Sequence, residues 1–262
     1  MTRSFDPNPA AEALHQTRLR RGMVGRLPAS IAPETEAEGT AAQLALARRV
    51  GAVPPAGFKI GATGKRMQEY LGLTGPAAGF VAEATVLASG ARLAFSDFVR
   101  PGVECELAVR LGQDLPAGPC TQAQALAAVA DLMAGIEVVD NRYGAIETVH
   151  MPTAVADQFF HAAAILGAPA APGWQSLDLP DLEGRISVNG QERDRGRAAE
   201  LLGHPLQCLA WLAASPLAHA FGGLRAGQIV MLGSVTPPVW LDGPAEVTVA
   251  FTGLAPVSVT LG

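Results

Sequence analysis

The run Pro101-Gly102-Val103-Glu104-Cys105-Glu106-Leu107-Ala108-Val109 limits what this chain can fold into more than any other stretch. It is apolar and β-prone, yet two glutamates stand inside it one residue apart. On a strand, residues i and i+2 leave the same face about 7 Å apart. Like charges so placed either face water or, on a core strand, need a cation between them. Glu137, within Ala134-Gly135-Ile136-Glu137-Val138-Val139-Asp140, has apolar neighbours on both sides, which favours the second reading. Three carboxylates in apolar settings predict an oxygen-donor site for a hard divalent ion, Mg²⁺ or Mn²⁺. Cys105 alternates with the pair and is expected on the opposite face as a buried, inert thiol.

With 262 residues, 49% of them hydrophobic, the chain can build one large domain or a domain with an N-terminal appendage. A net charge of −5 without any basic block argues against a nucleic-acid binder. Cys105, Cys120 and Cys208 are far apart, so neither a zinc cluster nor a disulfide framework is expected. No stretch of eighteen apolar residues occurs, and the opening Met1 to Pro9 lacks a basic-then-apolar leader. The expected location is therefore cytoplasmic.

Two segments read as N-terminal helices, Ala10 to Gly22 and Thr40 to Val50, the latter stopped by Gly51. Residues 27–39 between them read as a loop. Residues 1–52 are thus expected to be a helical segment, and 53–262 a mixed-sheet catalytic domain. Strands are predicted at 58–60, 79–81, 91–95, 103–111 and 136–139. Thr121 to Gly135 reads as a helix capped by Thr121, and 157–166 as a helix or turn followed by a strand. Asn189-Gly190 signals a hairpin. Leu206 to Ala214 reads as a helix, 228–233 as a buried strand, and 245–251 with 256–261 as strands joined near Thr252-Gly253. Strands with interspersed helices and no regular βαβ array predict an α+β class with a mixed sheet.

Other motifs are weaker. Gly57-Phe58-Lys59-Ile60-Gly61-Ala62-Thr63-Gly64-Lys65 is not a phosphate loop, because Lys59 stands where the first glycine is required and Arg66 follows Lys65. Lys59 reads either as a partner for a substrate carboxylate or as an exposed strand-edge lysine. His161 and His204 are each read as core or capping residues or as site residues. Capping is the stronger reading for His204, which precedes Pro205.

Several motifs stand together in order: Gly-Phe-Lys-Ile-Gly-Ala-Thr (57–63), Val-Glu-Cys-Glu-Leu-Ala (103–108), Ile-Glu-Val-Val-Asp-Asn-Arg (136–142), Val-Ala-Asp (155–157), Leu-Gly-His-Pro-Leu (202–206) and Leu-Arg-Ala-Gly-Gln-Ile-Val (224–230). From about residue 40 onward the chain resembles the 2-keto-4-pentenoate hydratase / 4-oxalocrotonate decarboxylase family of the fumarylacetoacetate hydrolase superfamily. The resemblance implies a rolled, barrel-like mixed sheet with a helical N-terminal portion. It also implies Mg²⁺ or Mn²⁺ held by Glu104, Glu106 and Glu137, with Lys59 in the active site. A homo-oligomer, and association with a related decarboxylase, are implied as well.

The implied activity is hydration of a 2-hydroxy-2,4-dienoate to a 4-hydroxy-2-oxo acid, in bacterial aromatic catabolism. Decarboxylation of a 2-oxo-enedioate and acylpyruvate-type C–C cleavage stand as alternatives. A non-catalytic homologue that binds a 2-oxo acid or serves in a complex is another. Two departures from the family pattern bear on this choice. Ala77 stands where such hydratases carry an acidic residue, and Gln158-Phe159-Phe160-His161 replaces an Asn-Ala-Ser segment. His161 is accordingly expected as a substitute acid/base.

Overall fold

The computed structural model describes residues 4–262, apart from the side chains of Arg66 and Glu147; Met1 to Arg3 of the opening segment lie outside it. Two helices come first, α1 (Pro7–Leu19) and α2 (Glu36–Arg49), followed by β1 (Gly57–Gly61), α3 (Lys65–Leu71) and β2 (Ala77–Val81). Next are β3 (Val86–Ala88), β4 (Ala91–Leu93), β5 (Pro101–Leu111), α4 (Gln122–Ala128) and β6 (Val129–Asp140). After α5 (Met151–Ala156) come β7 (His161–Leu166) and the hairpin of β8 (Glu183–Val188) and β9 (Gln191–Arg197). The chain closes with α6 (Pro205–Ala214), α7 (Pro216–Phe221), β10 (Ile229–Ser234), β11 (Val239–Trp240), β12 (Ala245–Phe251) and β13 (Val257–Leu261).

The strands form two sheets. The larger runs β2-β1-β10-β5-β6-β7-β3, with β11 added to the end of β5, and the smaller runs β4-β13-β12-β8-β9. Both mix parallel and antiparallel pairs: β1 is parallel to β10 and β5 antiparallel to β6 in the larger, and β4 is parallel to β13 and β12 antiparallel to β13 in the smaller. The expected mixed, rolled α+β architecture is therefore present. Val103, Cys105 and Leu107 of β5, with Ile136 and Val138 of β6, share a core with Ile186, Val247, Val249 and Val259 of the smaller sheet. Each fully buried aliphatic or aromatic side chain there contributes about 1.5–3 kcal/mol. Cys105 lies on this face, opposite the carboxylates, and burial pushes its thiol well up.

The N-terminal helices differ from expectation at their ends. The second begins at Glu36, inside the segment read as a loop, because the Thr35 hydroxyl accepts from the Glu38 backbone N–H and caps it. Both helices share core with later elements. Ala10, Leu14 and Ala42 pack with Ala156 of α5, while Ala11 and Leu46 join the main core.

The largest correction falls on residues 121–135. The Thr121 cap forms as expected, completed by Gln124 as a capping box, but the helix stops at Ala128. From Val129 the chain is extended and pairs with β5 nearly end to end. Non-local strand pairing outweighs the helical pattern of Leu132, Met133 and their alanine neighbours. Elsewhere β4 is shorter than expected, turning over Phe95–Asp97, while the Asn189-Gly190 hairpin, α6 and the β12–β13 pair stand where predicted.

Candidate metal centre and its cavity

Five adjacent strands of the larger sheet bring six groups to a single region. Lys59 comes from β1, the Gly233 amide from β10, Glu104 and Glu106 from β5, Glu137 from β6 and His161 from β7. Glu104 and Glu137 are direct cross-strand partners. Like charges at such a position are destabilising by themselves. One carboxylate oxygen from each of Glu104, Glu106 and Glu137 lies within 4.8 Å of the others.

The solvated-face reading does not hold, because Glu106 and Glu137 are 0% exposed. Glu106 Oε2 accepts from the Gly233 N–H at 3.0 Å, and Glu137 Oε1 meets His161 Nδ1 at 2.8 Å. Each carboxylate nevertheless keeps one buried oxygen without a partner among the described residues, Glu106 Oε1 and Glu137 Oε2. Buried polar atoms are rarely left so, and an oxygen-seeking cation would satisfy both. The donor set, all carboxylate oxygen, fits a hard divalent ion.

The electrostatics agree. Burial and the neighbouring Glu137 push Glu104 up to about 8, Lys59 offsetting part of this. Glu106 is raised well above the usual carboxylate range by burial, then by Glu137 and Glu104. Burial works to raise Glu137 too, but Lys59 and His161 outweigh it and hold this carboxyl low. The trio without a cation therefore shares protons that a divalent ion would displace.

Lys59 is 1% exposed, which corrects the strand-edge alternative. Its Nζ stands 3.4 Å from Glu137 Oε1 and 4.9 Å from the centre of the Phe159 ring. His161 sits behind Glu137, its Nε2 3.2 Å from Thr85 Oγ1. Burial lowers its pKa despite the carboxylate. His204 caps α6, where its Nδ1 accepts from the Leu206 N–H at 3.1 Å. Ala77 is buried in β2, and Glu83, the nearest carboxylate in sequence, is exposed.

Two adjoining cavities meet at Glu104. The larger, 560 Å³, includes Arg195, Glu200, Ser234 and Thr236 in its lining. The smaller, 260 Å³, includes Lys59 and is walled by Phe159, Phe160, Val139, Ile146 and Trp240. Sequence reasoning passed over Ser234 and Thr236. Thr236 Oγ1 is buried and without a partner among the described residues, so a residue lining the same cavity as Glu104 has an unengaged hydroxyl. The signal available was a polar Gly-Ser-Val-Thr directly after an apolar strand.

The wall at Phe159 has an unusual backbone. Gln158, Phe159 and Phe160 all have positive φ, at 59°, 48° and 69°, each costing of order 1–3 kcal/mol outside glycine. Three supports hold them. Gln158 Nε2 donates to the Phe80 carbonyl at 2.8 Å, and Gly79 lets the strands close up, since a Cβ there would lie 2.6 Å from the Gln158 carbonyl oxygen. Just before the turn, the buried Asp157 carboxylate accepts from Arg18 Nε at 2.7 Å, Tyr143 Oη at 2.9 Å and the Arg142 guanidinium. Gly79→Ala is therefore expected to lower stability by about 1–3 kcal/mol, read as a fall in thermal midpoint; an unchanged midpoint would show that the turn is not held from this side.

Comparison with known proteins places the chain in a family. Residues 59–261 match the fumarylacetoacetate (FAA) hydrolase C-terminal family, and the chain belongs to it. Among its relatives is a 2-keto-4-pentenoate hydratase of Burkholderia vietnamiensis, 31% identical over 78% of this chain and 77% of the relative. A 4-oxalocrotonate decarboxylase of Pseudomonas putida is 30% identical over 77% and 75%. The solved 4-oxalocrotonate decarboxylase from Pseudomonas putida G7, complexed with magnesium and adipate, superposes with a TM-score of 0.90 at 26% identity over the whole of both chains.

Proposed function

We propose that this protein is a divalent-metal-dependent hydratase that converts a 2-hydroxy-2,4-dienoate to a 4-hydroxy-2-oxo acid. The observation that carries the reading is the trio Glu104, Glu106 and Glu137, with two buried, orphaned oxygens, of which Glu104 lines the cavity that Lys59 also lines. Mg²⁺ or Mn²⁺ bound by these three would supply Lewis acidity to the carboxylate and C2 oxygen of the substrate. Relatives named as hydratases and decarboxylases of such small acids support the class.

The chain's own groups then have separable tasks. Glu106 and Glu137 are fixed by Gly233 and His161 and present their remaining oxygens inward. Lys59, desolvated and held beside Glu137, offers an ammonium to the substrate carboxylate or its C2 oxygen and can relay a proton there. In the net reaction the C2 hydroxyl loses a proton and C5 gains one; water oxygen then bonds to C4 and a proton goes to C3. The larger cavity favours hydration over decarboxylation, because Arg195, Glu200, Ser234 and Thr236 among its lining residues offer water polar partners in a space that Glu104 also lines. Loss of CO₂ needs no such supply.

His161, with both ring nitrogens engaged and outside either cavity lining, acts in this reading by orienting Glu137. His161→Ala is expected to weaken Mg²⁺ binding and lower turnover about 10–100-fold. Unchanged metal affinity and rate would remove it from the site.

The decisive experiment incubates the protein with 2-hydroxypenta-2,4-dienoate and with 4-oxalocrotonate, each with Mg²⁺ or Mn²⁺ and after chelation. Expected are metal-dependent loss of dienoate absorbance and a 4-hydroxy-2-oxo product. The close superposition on a decarboxylase supports a second reading, and CO₂ release from the diacid as the main outcome would establish it. Metal-dependent turnover of neither would leave a non-catalytic 2-oxo-acid binder.

A further inference from the structure

The smaller cavity bears on which acid is accepted. At the end nearest the carboxylate trio stand Lys59 and Glu104, and beyond them the wall is Leu71, Val139, Ile146, Phe159, Phe160 and Trp240. Among the described residues, Lys59 is the only lysine or arginine lining it. That ammonium is already placed, 3.4 Å from Glu137 Oε1 and facing the Phe159 ring, so it belongs to the head end of any bound oxo acid. Phe159 and Phe160 are themselves packed with Tyr143, Val155 and Ala154 in one buried cluster, and their rings meet edge to face at 5.3 Å. The wall is thus rigid as well as apolar.

A second carboxylate carried into this space would lose its water and find no second cation among the described lining residues, at a cost that binding of the head would have to overcome. An uncharged hydrocarbon tail would gain instead, roughly fourfold in affinity for each methylene buried. The Arg195 guanidinium lies in the other, larger cavity, 54% exposed and bonded through Nε to Glu192 at 2.7 Å. Its charge is partnered and screened, and so is a poor receptor for a distant carboxylate.

We infer that the smaller cavity is a specificity pocket for an uncharged, apolar tail, so that the preferred substrates are 2-oxo or 2-hydroxydienoic monocarboxylic acids bearing a hydrocarbon substituent rather than dicarboxylic acids. This rests on the oxo-acid reading above and names the substrate class within it. Phe159, Phe160, Val139 and Ile146 are the residues that set the preference.

The test measures binding rather than turnover. Mn²⁺-loaded protein is titrated calorimetrically with pyruvate (the head alone), with 2-oxohexanoate and with 2-oxoadipate. Expected is 2-oxohexanoate binding at least tenfold tighter than pyruvate, with 2-oxoadipate no tighter than pyruvate. Ile146→Arg, on a partly exposed part of the wall, is expected to shrink the 2-oxohexanoate-to-pyruvate ratio and raise that of 2-oxoadipate. Normal pyruvate binding with no gain from the longer chain overturns the tail assignment alone. So does tighter binding of 2-oxoadipate, particularly if Arg195→Ala removes it. Failure of all three acids to bind the metal-loaded protein sinks the oxo-acid reading and the pocket assignment together.

Discussion

Replacing Glu106 with glutamine is expected to abolish the thermal stabilisation that Mg²⁺ or Mn²⁺ confers and to lower turnover by about three orders of magnitude, some 4 kcal/mol of activation free energy. The substitution is nearly isosteric, and its amide oxygen can still accept from the Gly233 N–H that now meets Glu106 Oε2. What it removes is one of the three carboxylates that a bound ion would hold in the charged form. Without metal, the variant should therefore be about as stable as the parent protein, because burial and its neighbours already favour the neutral form of the Glu106 carboxyl. With metal at about a hundred times its dissociation constant, the parent gains about 2.7 kcal/mol and the variant almost none. A stability difference that appears only with metal distinguishes a ligand from a merely structural glutamate. An equal metal-induced shift in both proteins would remove Glu106 from the centre.

Asp157→Asn should be the most damaging substitution outside that centre, costing about 3–5 kcal/mol. The carboxylate is fully buried and receives Arg18, Arg142 and Tyr143 together; neutralising it leaves guanidinium charge without its counter-ion. Arg18 keeps 23% exposure, so some of its charge can turn to water, which places the cost toward the lower figure. Burial tends to raise the Asp157 pKa, but Arg18 and Arg142 outweigh it and hold the carboxyl below its ordinary value. The stabilisation is then present above the unfolded-state pKa, about 3.9, and is lost as pH falls through the lower folded-state value. The difference in unfolding free energy between parent and variant should accordingly be full at pH 6 and shrink below about pH 4. A pH-independent difference would mean that shape, not charge, makes Asp157 matter. Because this residue anchors the turn carrying Phe159, the variant is also expected to bind long-tailed acids less selectively.

How much of this was legible in the residues depends on the range of the contact. The carboxylate trio was readable because strand alternation is local: Glu104 and Glu106 had to share a face, and Cys105 had to oppose them. Lys59 was left between two settings, since nothing in Gly-Phe-Lys-Ile-Gly shows that β1 lies between β2 and β10 as an interior strand. The end of α4 was misplaced because Val129 to Gly135 has helix-compatible residues, and only pairing with β5 makes them extended. The cluster around Asp157 was invisible, its partners lying 139 and 15 residues away in sequence at Arg18 and Arg142. The left-handed run 158–160 was likewise unreadable, because phenylalanine and glutamine carry no preference for it.

Construction from strands has a consequence for how such a protein can diversify. Each ligand is fixed by the hydrogen-bonded ladder rather than by a loop, so slipping β5 by one residue would send the carboxylates inward and Cys105 outward, erasing the ion site outright. Connections such as 62–76, 141–150 and 235–238 carry no such obligation and can change length or sequence while the reacting end stays in place. New appetites for substrate should therefore be won by remodelling these margins, with the chemistry inherited intact.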